Sequence, residues 1–169
     1  MTGGTIIVSG PTANDNGALD YYGTFEVTGG YQLAVGSSGM AQAASASSTQ
    51  NSVLVNLASV QAAGTIVHIE AEDGEDTLTY TSPKQFQSVV LCSPALQEGT
   101  TYVIYTGGSA TGTVTDGLYS GGSYTPGTQI DTFTIAGTVT MIGSGGRFQG
   151  GPGGPGQRIM PGGEGPHGE

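Results

Sequence analysis

Positive charge is nearly missing from this chain: Lys84, Arg147 and Arg158 stand against thirteen acids, a formal net charge of -10 at pH 7. A surface so negative repels phosphate backbones and anionic bilayers, which sets nucleic acid aside as a partner and makes calcium, a divalent cation, the expected one. Cys92 is the single cysteine, which excludes an internal disulfide; within QSVVLCS it sits in a strand pattern and reads as a buried, inert thiol. Tryptophan is absent, and the two histidines, His68 and His167, lie far apart in the chain. Together with Cys92 they do not make the tight spacing that a zinc site requires. No apolar run approaches the roughly 20 residues of a membrane span, so membrane insertion is not expected. Met1-Thr2-Gly3-Gly4 does not read as a signal peptide, and the expectation is a chain that stays inside the cell or one cut from a longer secreted precursor.

What is abundant is turn chemistry. Of 169 residues 32 are Gly and 8 are Pro, while only 9% are charged. That composition predicts short strands separated by many turns, in a chain long enough to bury one core. Two segments share a shape: Gly4-Thr5-Ile6-Ile7-Val8-Ser9-Gly10 and Gly30-Tyr31-Gln32-Leu33-Ala34-Val35-Gly36 are each a five-residue strand bracketed by glycine, with a period of 26 residues. Between them Thr24 to Thr28 alternates and runs into Gly29-Gly30. Short strands repeating at this period suit the rungs of a parallel β-solenoid, whose last rung exposes an unpaired edge.

The pattern changes after residue 50. Ser52 to Leu57, Thr65 to Ile69, Thr77 to Thr81, Ser88 to Cys92, Thr101 to Tyr105 and Thr132 to Ile135 read as six strands, with Asp73-Gly74 at the tip of a hairpin. Gly107-Gly108, Gly121-Gly122 and Thr125-Pro126-Gly127 mark further turns, and Ala41 to Ala46 is a helix candidate only in being alanine-rich, too short and too rich in serine to stand alone. The fold expected is all-β: terminal rungs of a right-handed parallel β-helix over residues 1–50, an antiparallel β cap over 51–143, and a Gly/Pro-rich tail over 144–169. From Gly150 the tail reads in threes as GGP, GGP, GQR, IMP, GGE, GPH, a collagen-like or polyproline spacing.

Few residues here can carry covalent chemistry. Serine is plentiful, but no Gly-x-Ser-x-Gly elbow occurs, and a nucleophile needs a base beside it. Elimination on uronates calls for a strong base near a cation, and two of the three Lys and Arg residues fall in the tail. The chain is therefore read as having no catalytic residues. Calcium takes carboxylate and carbonyl oxygens, which directs attention to Asp15, Asn16 and Asp20 at a proposed rung corner and to Asp73 and Asp76 around the hairpin tip. Calcium-dependent stability is expected, since bridging acids would relieve their repulsion. Sugar binding asks for aromatic rings beside hydroxyl or amide groups, and Tyr21, Tyr22 and Tyr31 lie in the rung segment. Adjacent Tyr21 and Tyr22 would face opposite sides of a strand, so at most one points outward.

The stretches GALDYYGTFEVTGG, GSSGMAQ and TYVIYTGGSATGTVTDGLYSGGSYTPGT occur in this order and together resemble the C-terminal part of a family of secreted bacterial carbohydrate-binding proteins built on a right-handed parallel β-helix, known from cellulose-degrading clostridia and related Gram-positive bacteria. The resemblance spans roughly residues 3 to 142. It implies a non-catalytic relative of β-helical polysaccharide lyases that binds cellulose or acidic pectic chains and holds calcium near the helix. On that resemblance Asp20, the aspartate of GALD, and Asn16 before it are the calcium candidates, and Gly36 to Gln42 is a turn closing the last rung. Full members carry many more rungs before this region.

Two functions follow as expectations. The first is an extracellular or cell-surface protein that binds plant or cell-wall polysaccharide. The second is a homo-oligomer or filament subunit that polymerises through the open solenoid edge and the tail.

Overall fold

The computed structural model describes residues 1–143, the side chain of Asp76 excepted; the expected tail lies outside the described residues. Thirteen strands and no helix occupy this part: β1 (Thr2–Ser9), β2 (Gly29–Gly36), β3 (Ser52–Gln61), β4 (Ile66–Ala71), β5 (Asp76–Thr81), β6 (Phe86–Cys92), β7 (Thr101–Thr106), β8 (Ser109–Ala110), β9 (Thr113–Thr115), β10 (Leu118–Ser120), β11 (Tyr124–Thr125), β12 (Thr128–Thr134) and β13 (Val139–Ile142). They form a five-stranded sheet in the order β1-β2-β6-β3-β13, a six-stranded sheet in the order β12-β7-β4-β5-β10-β9, and a small β11-β8 ribbon. The chain is all-β, and neither large sheet closes into a barrel.

Side-chain alternation explains how the two sheets meet. In β7 every second residue, Tyr102, Ile104 and Thr106, is buried. Leu33 and Val35 of β2, Val53 and Val55 of β3, and Val89 and Leu91 of β6 face them from the other sheet, with Val67 and Ile69 of β4 in the same core. Each such side chain contributes about 1.5–3 kcal/mol on burial, which makes this layer the main source of stability. The five-stranded sheet is also covered on its other face, where Ala34, Leu54, Val90 and Cys92 pack with Val27, Ala41, Ala43 and Ala44. Buried on both sides, β3 and β6 read as nearly continuous apolar runs, SVLVNL and SVVLC.

The cover on that second face is made of loops, not strands or a helix. Thr24 to Thr28 has the alternation of a strand, but its amides find side chains: Phe25 N–H donates to Ser45 Oγ at 2.7 Å and Val27 N–H to Ser48 Oγ at 3.0 Å. The serines that make 41–46 a poor helix therefore satisfy the neighbouring loop's backbone.

The period of 26 residues is visible as register. β1 and β2 are parallel, with Thr5 opposite Tyr31, Ile6 opposite Gln32 and Ile7 opposite Leu33. The next place in the sheet goes to β6, which runs antiparallel to β2, Ala34 opposite Val90. The parallel pairing at this edge is thus two strands deep. An expected boundary at residue 50 falls inside one sheet, because β1 and β2 on one side and β3, β6 and β13 on the other share its hydrogen bonds and its core. The Asp73-Gly74 hairpin joins β4 to β5, with Gly74 N–H donating to Ala71 O at 2.8 Å.

Candidate functional site

At one side of the sandwich the two sheets do not close on each other. β1 is the edge of the five-stranded sheet and β9 the edge of the six-stranded one. A cleft of about 1000 Å³ opens between them. Thr5, Ile7 and Ser9 form one wall, because alternate residues of β1 share the inward face with Tyr31, Leu33 and Val35 of β2. The facing wall is the β9–β10 hairpin, residues 114–119, and Thr81, Ser82 and Pro83 close the floor.

The hairpin owes its shape to one dipeptide. Asp116 has φ 51° and Gly117 φ 85°, the two positive values that a two-residue turn of the I′ type demands, and Leu118 pairs with Thr115 across it. Gly117 also lies against β5: its carbonyl accepts from Thr81 N–H at 2.8 Å, and a Cβ there would stand 2.4 Å from Thr81 O. Across the cleft Ser9 is held twice. Its hydroxyl shares a hydrogen bond of 2.8 Å with the Tyr80 hydroxyl, and its carbonyl accepts from Lys84 Nζ at 3.2 Å. Thr81 Oγ1 donates to the Tyr119 hydroxyl at 3.3 Å.

Chemically this is a surface of hydroxyls and aliphatic groups. Thr5, Ser9, Ser82, Thr115 and Tyr119 offer oxygens that donate and accept, with Ile7, Val114 and Leu118 between them. Among the described residues that line it Asp116 is the single carboxylate, and no His or Cys joins it there. Hydrolysis of sugar linkages by paired carboxylates needs a second acid, and nucleophilic catalysis needs a base. The cleft is equipped to hold a polar, uncharged molecule with apolar faces.

A second cluster lies on the outer face of the six-stranded sheet. His68 is fully buried, its Nδ1 2.8 Å from Thr79 Oγ1 and its Nε2 3.2 Å from Glu70 Oε2, while Tyr124 stacks on the imidazole with ring centroids 3.8 Å apart. Burial raises the Tyr105 and Tyr124 hydroxyl pKa values, and the nearby Glu70 carboxylate pushes both in the same direction. In Tyr124 the N–H of Gly127 works the other way, donating to its oxygen at 3.1 Å. This network ties the β8–β11 ribbon onto the sheet, since the Tyr124 hydroxyl also donates to Gly107 O at 3.0 Å.

The residues singled out from the sequence are dispersed. Tyr21 spends its hydroxyl on Ala43 O, at 2.6 Å, in the loop layer. Tyr22 beside it is wholly exposed. Tyr31 lies instead between the sheets, on the face of β2 that looks toward β5 and β10. The three tyrosines form no common platform. Asn16 Oδ1 accepts from Gly17 N–H at 2.9 Å, and Asp73 Oδ1 from Glu75 N–H at 3.2 Å, so each caps its own turn. Asp15 and Asp20 are exposed, and among the described residues no three His, Cys, Asp or Glu side chains gather into a metal-binding group. Cys92 is buried, which pushes its thiol up to about 12 against a weaker opposing bond from Ser52.

Sequence reasoning missed the β9–β10 wall. Its signal was present, since Asp116-Gly117 is the same dipeptide that located the hairpin at Asp73-Gly74. Strands of three residues carry too little alternation to be seen on either side of it. Comparison with known proteins returned no matching family model, no matching curated sequence and no matching solved structure.

Proposed function

We propose that this protein is a non-catalytic polysaccharide-binding module working outside the cell or at its surface, and that the cleft between β1 and the β9–β10 hairpin receives the glycan. One observation carries the reading: a cleft of about 1000 Å³, at the upper end of the roughly 300–1,000 Å³ usual for ligand sites, in which hydroxyls alternate with aliphatic side chains. Sugars present the complementary surface, hydroxyls at the ring edge and C–H groups on its faces. The parallel β1–β2 pair is the part of the molecule most in keeping with the terminal rungs of a β-helix, and with the sequence resemblance to carbohydrate-binding proteins of that type.

The test is titration calorimetry with soluble neutral oligosaccharides, on the wild type and on Tyr119→Ala and Ile7→Asp. Binding in the micromolar to millimolar range is expected, with each variant at least tenfold weaker, which corresponds to about 1.4 kcal/mol. Folded variants that bind as the wild type does would show that the glycan lies elsewhere, and no heat with any neutral glycan would end the reading.

A second reading, a self-assembling subunit, is favoured by the edge itself. β1 pairs on one side only, its first five residues are exposed, and Ile6 is 42% exposed. Such an edge is a template for another strand. Negative-stain imaging and light scattering decide it: filaments that disappear with Ile6→Lys assign assembly to the edge, and filaments lost only on deletion of residues 144–169 assign it to the tail. A monodisperse monomer at every concentration ends this reading.

A further inference from the structure

Among the described residues both edges of the five-stranded sheet are open: β1 at one end and β13 at the other each pair with a single neighbour. β1 is parallel to β2 and β13 to β3, while β6 between them is antiparallel to both β2 and β3, so β1 and β13 run in the same direction. Their free backbone groups are complementary. Gly10 N–H donates to Val35 O at 2.7 Å, which by the alternation of a parallel ladder turns Ile6 and Val8 toward β2 and directs the N–H and C=O of Thr5 and Ile7 away from the sheet. At the opposite edge Ser52 N–H donates to Thr138 O at 2.8 Å, so Thr140 and Ile142 bond toward β3, and Val139 and Met141 are the residues directed outward.

The side chains match as well. Ile7 and Ile142 pack on the core between the sheets, while Val8, Val139 and Met141 pack on the loop-covered face. Neither Thr5 to Ser9 nor Val139 to Ile142 contains a charged residue or a proline, the devices that ordinarily blunt an edge. The other sheet does blunt its edges: β12 has an irregular register at Ile130 and carries Asp131, and β9 is three residues long. In a protein of net charge -10, uncharged edges are where two copies meet with least repulsion.

We propose that the β1 edge is covered by β13 of a second copy, paired in parallel and head to tail, with Thr5 opposite Thr140, Ile6 opposite Met141 and Ile7 opposite Ile142 of that copy. Lys84 limits the register, because its Nζ occupies the outward carbonyl of Ser9 at 3.2 Å and stops the pairing short of that residue. The two surfaces differ, so each added copy presents a fresh β1 or β13, and the contact propagates into an open-ended filament. This inference rests on the self-assembly reading and goes beyond it by naming the strand that covers the edge.

Light scattering and negative-stain imaging of the full chain test it. Wild type should form filaments, and Ile6→Lys or Met141→Glu alone should raise the concentration needed by about tenfold or more. Both substitutions in one chain should restore assembly, since every contact then sets a lysine opposite a glutamate. A second measurement uses smaller changes. Paired strands lie about 4.8 Å apart, within the span of a disulfide, so mild oxidation of filaments carrying Ile6→Cys together with Met141→Cys should give a ladder of covalent multimers that neither cysteine gives alone. Covalent dimers from Ile6→Cys alone would assign a symmetric β1–β1 contact and overturn the proposal, as would filaments that give neither rescue nor ladder, and both would leave self-assembly standing. A wild type that stays monomeric at every concentration would overturn the proposal and the self-assembly reading together.

Discussion

The middle of the sandwich and its open side are built from the same strands by different means. In the middle, β6 and β3 face β4 and β7 through large aliphatic and aromatic side chains, and Leu91, Val53, Ile69 and Ile104 have no exposed surface. At the open side β1 faces a hairpin whose strands are three residues long, and the residues between the walls are hydroxyl-bearing or only partly buried. Burial of large apolar groups makes the middle stable, while the open side relies on one tight turn and a few polar contacts. The proposed binding surface lies where this packing stops.

The comparison can be broken in the middle. Ile104→Ala leaves a cavity among side chains that cannot collapse onto it, and a loss of about 2–5 kcal/mol is expected by urea denaturation. The fraction that remains folded should bind oligosaccharide as the wild type does. A parallel loss of affinity would show that the cleft depends on the central core.

Alkaline pH probes the same region through Cys92. Its folded-state pKa lies above the ordinary 9.0, at about 12, so the native protein keeps a proton that the unfolded chain gives up. The stability tied to this proton is complete below pH 9 and is lost as pH rises toward 12, about 4 kcal/mol across the whole interval. Tyr31, also raised by burial, adds in the same direction. The fall in unfolding free energy from pH 8 to pH 11 should be shallower in Cys92→Ala than in the wild type, and identical slopes would count against a buried thiol.

The open side should respond to smaller perturbations and lose binding with them. Gly117→Ala places a Cβ at φ +85° and 2.4 Å from Thr81 O. A cost of about 1–3 kcal/mol is expected, with a weakened hairpin wall and lower glycan affinity. Full affinity in this variant would remove the hairpin from the site. The smallest effect is expected from calcium. Asn16 Oδ1 and Asp73 Oδ1 each accept an N–H within their own turn, and Asp15 and Asp20 are exposed, so charge screening is the effect predicted for the ion. Exchange of calcium for chelator should move Tm by about 1 °C, and a shift several times larger would bring the acidic corner at Asp15, Asn16 and Asp20 into play as ligands.

Particular residues show what could be read in advance. The Gly-bracketed repeat of period 26 predicted that Thr5 and Tyr31 are equivalent, and they are neighbours in a parallel pair. Alternation located β3 to β7 and β12, although β3 continues to Gln61 and β12 begins at Thr128, while the short β8 to β11 and β13 went unread. The segment Thr24 to Thr28 misled, because alternation reports which side chains are buried and not which partner takes the amide hydrogen bonds. Tyr21 and Tyr31 illustrate the same gap. Both are tyrosines flanked by turns, yet one ties down a loop and the other stands between two sheets.

From its sequence alone this chain was bound to be rich in strands and turns, negatively charged and poor in reactive groups, since those properties follow from composition and from local periodicity. The joining of its first fifty residues with the remainder in one sheet, the placing of β1 opposite the Asp116-Gly117 hairpin and the enclosure of the Tyr31 hydroxyl were decided by tertiary structure. Each depends on which strands of similar apolar character pair across long stretches of chain, and backbone hydrogen bonds carry no record of that choice in any single segment.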